Sequence, residues 1–231
     1  SSMVSKYIPE MANAMYFGHP GNLGDAVNWG VELGAAIKNM GAYQGHGSVA
    51  IPHGALITWA IMMEGGIQLN SMGSRFSNEH EGYSEQSIKV LQQPGGIAWN
   101  IYDERLHQLG LEFEDYRGAL ENGAIKHFAS VDELARSIGA SSEITTSSLE
   151  DLKAFEIGKK HCPFGRNFQK TGAIKGPPYY GVKVTGALFH TQGGLDVNTE
   201  AKVLRKDNSA LTNLFAAGGA AVGVSGKGVE G

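Results

Sequence analysis

The stretch "HTQGGLDVNTEAKVL", residues 190–204, decides how the rest of the chain is read. Leu195 and Val197 alternate with polar residues, Asn198-Thr199-Glu200 has turn chemistry, and Ala201 and Val203 resume the alternation. That is the pattern of a β-hairpin. A hairpin alone needs no imidazole and no pair of bare backbones at its mouth. His190, Gly193 and Gly194 therefore point to main chain that something approaches closely.

The chain around it has 231 residues, enough for one large domain or two smaller ones. Only 18% of residues are charged while 42% are hydrophobic, which favours a folded chain with a sizeable core. The formal charge of -4 carries no electrostatic footprint for nucleic acid or an anionic membrane. No apolar run reaches the roughly 20 residues of a membrane span. The single cysteine, Cys162, excludes an internal disulfide framework and a CxxC metal site. It suits a reducing, cytoplasmic compartment, and the N-terminus shows no signal peptide. Glycine is the outlier at 33 residues, about twice the usual frequency. It is densest in "AAGGAAVGVSGKGVEG", which is not a phosphate-binding P-loop because no GK[ST] follows.

Helical and strand signals alternate without a strict βαβ rhythm, so the expected class is α+β. A helix is predicted over 25–40, with Asp25 as N-cap or first-turn acid. Its small residues Gly30, Gly34 and Ala35 predict close packing against a neighbour. "SVDELARSIG" predicts a short helix with a Ser130/Glu133 capping box and a Gly139 stop. A second capping box, Ser147 and Glu150, predicts another helix start. Strands are predicted in 64–79, with a turn at Ser71 to Ser74, in "GGIAWNIYDERL", in "YYGVKV" and in "NLFAAGG"; residues 161–180 read as a long connection.

Three segments together resemble the succinate dehydrogenase/fumarate reductase flavoprotein superfamily, which includes ketosteroid dehydrogenases. "HTQGGLDVNTEAKVL" with "NLFAAGG" is similar to its C-terminal signature. "GNLGDAVNWGVELGAAIKNMGAYQGH" resembles the helix that leads to its first active-site histidine, and "GGIQLNSMGSRFSNE" its Gly-x-Arg-Phe-x-Asn-Glu element. The resemblance implies FAD as cofactor and the C-terminal part of a two-domain flavoprotein that lacks the N-terminal Rossmann unit. Residues 1–44 and 190–231 would belong to the FAD-binding domain, and 45–189 would form the domain that caps the substrate.

The resemblance also implies roles. His46 and His190 match the two active-site histidines, although Gly47-Ser48 stands where Pro-Thr is usual. Tyr83 stands where dicarboxylate reducers carry an arginine proton donor and ketosteroid dehydrogenases a tyrosine. Tyr180 resembles the tyrosine those enzymes set against a ketone oxygen. Asp25, Gly193, Gly194, Gly218 and Gly219 would contact FAD, with Gly219 replacing the usual glutamate. Arg75 reads as a structural ion-pair partner, and the histidines show no metal-ligand spacing. The usual threonine-glutamate pair falls on Thr58 and Trp59, and an arginine expected in the last glycine loop falls near Val229. A dicarboxylate needs guanidinium forks, so the implied substrate is an apolar ketone or enone, dehydrogenated or reduced at the C–C bond α,β to its carbonyl. The electron partner is not legible. The alternative is a cap-like ligand-binding domain without flavin.

Overall fold

A computed structural model describes residues 2–224. Helices and strands are mixed, as expected for α+β, and the chain divides into two compact units: Ser1–Gly45 with Ala187–Gly231, and His46–Gly186.

The second unit is built on an antiparallel sheet. Its strand order is Ala55–Leu56, then Tyr43–Ala50, Tyr179–Thr191, Ile97–Asp103 and Ile67–Leu69. Ile125–Phe128 also pairs with the long strand Tyr179–Thr191. The strand Ile97–Asp103 is buried on both faces from Ala98 onward, so it lies inside a core. One face packs against Ile57, Ile61, Val90, Leu106 and Tyr116. The other packs against Leu134, Leu152, Phe155 and Phe168. The helix Val131–Ile138 forms as predicted: Ser130 Oγ accepts from the Glu133 N–H, and Gly139 ends it with φ +79°. The next helix starts earlier than predicted. It is Ser142–Glu156, capped by Ser141, and Ser147 lies inside it. The predicted long connection contains a short helix, Phe168–Thr171. The strand expected across 64–79 is only Ile67–Leu69. Asn70 then turns the chain, its Oδ1 accepting from the N–H groups of Met72 and Ser74.

In the first unit the hairpin of 195–203 is present. Val197 bridges Val203, and Asn198 N–H donates to the Lys202 carbonyl. The strand Gly194–Leu195 pairs with Ile37–Lys38, and Lys202–Leu204 with Ala210–Phe215. The predicted helix 25–40 stops at Glu32. Gly34 takes φ +87° with open space around it, so it is a turn residue and not a packing surface. Gly30 is the packing residue, because a Cβ there would run into the Leu195 side chain. Among the described residues no helix is long and apolar enough to cross a membrane.

The second unit buries one carboxylate completely. Glu79 is 0% exposed. Arg75 Nη2 lies 2.5 Å and Arg166 Nη1 2.9 Å from its Oε2, and the Gln68 N–H donates to its Oε1 at 3.1 Å. Arg166 also donates to the carbonyls of Gly66 and Met62. Burial alone would raise the Glu79 carboxyl pKa, but the two guanidiniums outweigh it and hold the group below its usual value. Glu79→Ala leaves two guanidiniums buried without their anion. It is expected to cost roughly 3–5 kcal/mol, read as a drop in the urea midpoint.

Candidate functional site

The strand Tyr43–Ala50 sets His46 inside the second unit with 6% exposure. The Ser48 N–H donates to His46 Nδ1 at 3.1 Å. An accepting Nδ1 puts the neutral ring's proton on Nε2. Burial lowers the His46 pKa from 6.5 to about 4, so the ring is uncharged at neutral pH.

Tyr83 is the first residue of the helix Tyr83–Leu91. Its ring stacks on His46, with centroids 5.0 Å apart and planes at 21°. Trp59 meets His46 edge-on at 5.8 Å and 90°. These three rings, with Leu56, Thr58, Ala60, Phe113 and Asp115, line a cavity of about 300 Å³. None of the eight is an arginine or a lysine. Asp115 is the one acid among them, so the cavity wall repels a substrate carboxylate and does not clamp it.

Two of the four expected catalytic residues, His46 and Tyr83, therefore meet. Tyr180, in the second unit, is not among these eight lining residues. Its ring stacks on His107 at 4.1 Å, and its hydroxyl donates to Glu104 Oε2 at 2.6 Å. Burial and that carboxylate push its pKa up to about 12, so it stays a neutral phenol engaged with the protein. His190 belongs to the first unit, is exposed, and pairs through Nε2 with Gln44 Oε1. Phe113 and Asp115 were not anticipated. They reach the cavity because the helix Glu114–Glu121 packs on the strand Ala55–Leu56. The one local signal was Phe113 in the N-cap position, where a side chain that bonds no backbone N–H is unusual.

Arg75 is the ion-pair partner that its motif implied, and its Nη1 also contacts Cys162 Sγ at 3.3 Å. Among the described residues no three His, Cys, Asp or Glu side chains form a metal-binding group.

The glycines expected at the cofactor divide in two. A Cβ on Gly193 would lie 2.6 Å from Met40 Cα, and one on Gly194 2.8 Å from Val222 N. Their missing side chains admit the chain's own backbone on that side. Gly218 and Gly219 differ: a Cβ on either meets nothing within 4 Å, and Gly218 takes φ +55°. Asp25 is exposed in the first turn of Asp25–Glu32, whose N-cap is Gly24. The arginine position near Val229 lies outside the described residues.

The chain belongs to the family described as FAD binding domain, which it matches over residues 1–228. It is 30% identical over 224 residues to the probable fumarate reductase Ifc3 of Shewanella frigidimarina, covering 97% of this chain and 37% of that protein. It is 26% identical over 246 residues to the 3-oxosteroid 1-dehydrogenase of Mycobacterium tuberculosis, covering 90% and 43%. The open conformation of a flavocytochrome c3 fumarate reductase superposes with a TM-score of 0.79 at 29% identity, covering 96% of this chain and 39% of that one. The chain thus spans well under half the length of these relatives. Identity along the whole chain is no higher with the oxosteroid enzyme than with the fumarate reductase, so any distinction between them rests on the residues of the cavity.

The buried neutral histidine has a pH signature. The unfolded chain protonates His46 near 6.5 and the folded chain only near 4. Its contribution to stability is therefore complete above 6.5 and is lost as pH falls from 6.5 towards 4. The loss amounts to about 3 kcal/mol. His46→Gln is expected to flatten the fall of the urea midpoint across that window. An unchanged slope would place His46 in contact with solvent.

Proposed function

We propose that this chain supplies the substrate cavity and part of the cofactor cradle of an FAD-dependent oxidoreductase that dehydrogenates or reduces a C–C bond α,β to a carbonyl. The observation that carries the proposal is the stack of Tyr83 on a neutral, buried His46 in a cavity wall without guanidinium or ammonium groups, in a member of an FAD-binding family.

Asp25, Gly218 and Gly219 would hold the cofactor. FAD supplies the hydride exchange, at flavin N5, when bound. The chain's own residues handle the substrate's oxygen and proton. His46 donates its Nε2 hydrogen to the carbonyl oxygen, which becomes more negative when the α-carbon loses its proton in dehydrogenation or when hydride reaches the β-carbon in reduction. A histidine that is neutral above about pH 4 donates without moving a proton itself. Tyr83 moves that proton: its phenolate takes it from the α-carbon in dehydrogenation, and its phenol returns it in reduction. Trp59 and Phe113 give the cavity an apolar wall.

A neutral ketone or enone suits this wall better than a dicarboxylate. The name of the oxosteroid relative speaks for such a substrate and that of the fumarate reductase for an acid; the lining residues favour the ketone. Tyr83→Phe in the flavin-loaded protein is expected to lower kcat on 2-cyclohexen-1-one or its saturated counterpart by about 10²–10⁴-fold, with the melting temperature unchanged. Near-normal turnover would remove Tyr83 from proton transfer.

A further inference from the structure

The helix Tyr83–Leu91 presents Tyr83 at its first position. Its N-cap is Gly82, at φ +129°, with no capping side chain. One turn further along, Gln86 is fully buried and tied to its surroundings. Its Nε2 donates to Ser77 Oγ at 2.5 Å and to Gln68 Oε1 at 2.8 Å. Gln68 Nε2 donates to the Gly47 carbonyl and to Asn100 Oδ1, both at 2.8 Å. Asn100 Nδ2 donates to Ser48 Oγ at 2.5 Å. Ser48 is the residue whose N–H holds His46 Nδ1. One run of buried amides and hydroxyls therefore starts on the helix of Tyr83, crosses three strands and ends at the imidazole. Gly47 completes the contact: a Cβ there would lie 2.9 Å from the Gln86 carbonyl carbon.

Stability alone does not call for this arrangement. Buried amides must be desolvated, and an apolar layer of the same shape would serve a core as well or better. What the amides add is fixed geometry, because each bond sets a direction as well as a distance. Displacements of about 1 Å between reacting groups cost large factors in rate.

We infer that Gln86, acting through Gln68, Asn100 and Ser48, is a positioning residue that holds the Tyr83 ring in register over His46. The inference rests on the proposed roles of His46 and Tyr83 for its catalytic meaning, but the register itself is measurable without substrate or flavin.

The test uses the 231-residue chain with ¹³C-labelled histidine. The Tyr83 ring current marks the His46 Cε1–H resonance, which is assigned with His46→Gln. Tyr83→Leu defines its unstacked position. Gln86→Met keeps volume and removes both donors. It is expected to move the His46 resonance most of the way to the unstacked position while the melting temperature holds. Ser48→Ala, which removes the acceptor at the far end of the run, is expected to move it in the same direction and serves if Gln86→Met fails to fold. A resonance that stays at its wild-type position in a folded Gln86→Met or Ser48→Ala protein overturns the inference. So does a Tyr83→Leu spectrum that matches wild type, since no stack would then exist. A shifted resonance together with a fully active Tyr83→Phe enzyme would uphold the positioning and overturn only the catalytic roles.

Discussion

The second unit is organised around a fully buried carboxylate. Glu79 is fully buried between Arg75 and Arg166; Arg75 stands four residues before it and Arg166 comes from far along the unit's sequence. Burying such charges is costly, and their attraction offsets the cost only when the geometry is good and the remaining hydrogen bonds are made. Here they are. Arg75 spans Glu79 with Nε and Nη2, Arg166 caps the carbonyls of Gly66 and Met62, and the Phe168 ring lies against both guanidiniums. The cluster ties the turn at 75–79 to the strand Ile67–Leu69 and to the segment around 166. The short helix Ala60–Met63, which carries Met62, begins next to Trp59, and the helix of Tyr83 follows Glu79 by four residues. A fault at Glu79 therefore reaches both sides of the cavity.

The cavity shows how burial selects chemistry. The same imidazole in water would be half-protonated near 6.5; inside the strand Tyr43–Ala50 it is pinned neutral, with its tautomer set by the Ser48 amide. A neutral donor suits a carbonyl oxygen. The lining around it has aromatic rings and one aspartate, so the electrostatic character of the wall differs from what a dianion would need.

How much of this was legible in the sequence depends on how local each signal is. The helix at Ser130 and its Gly139 stop were readable because capping chemistry is written within a few residues. Arg75 and Glu79 stand four residues apart in a motif, and their pairing was readable too; Arg166 was not, because only the folded chain brings it there. His46 and Tyr83 were found through family resemblance. Their stack could not have been, since it depends on Gly47 admitting Gln86. Phe113 and Asp115 reach the cavity by helix packing that leaves almost no sequence trace. The helix predicted over 25–40 was too long because Gly34 was taken as a packing residue when it is a turn residue. Gly193 and Gly194 were read as room for a ring. Where a Cβ would stand, the backbone near Met40 and Val222 packs against them, a neighbour that the missing side chain alone does not name.

The most direct test of the central claim, that His46 and Tyr83 form one site for a carbonyl and its α-carbon, is a crystal structure of the flavin-loaded protein soaked with 2-cyclohexen-1-one. The account predicts the ketone oxygen within hydrogen-bonding distance of His46 Nε2 and the α-carbon facing the Tyr83 hydroxyl. A ring bound away from both, with the two side chains still stacked and untouched, would contradict it.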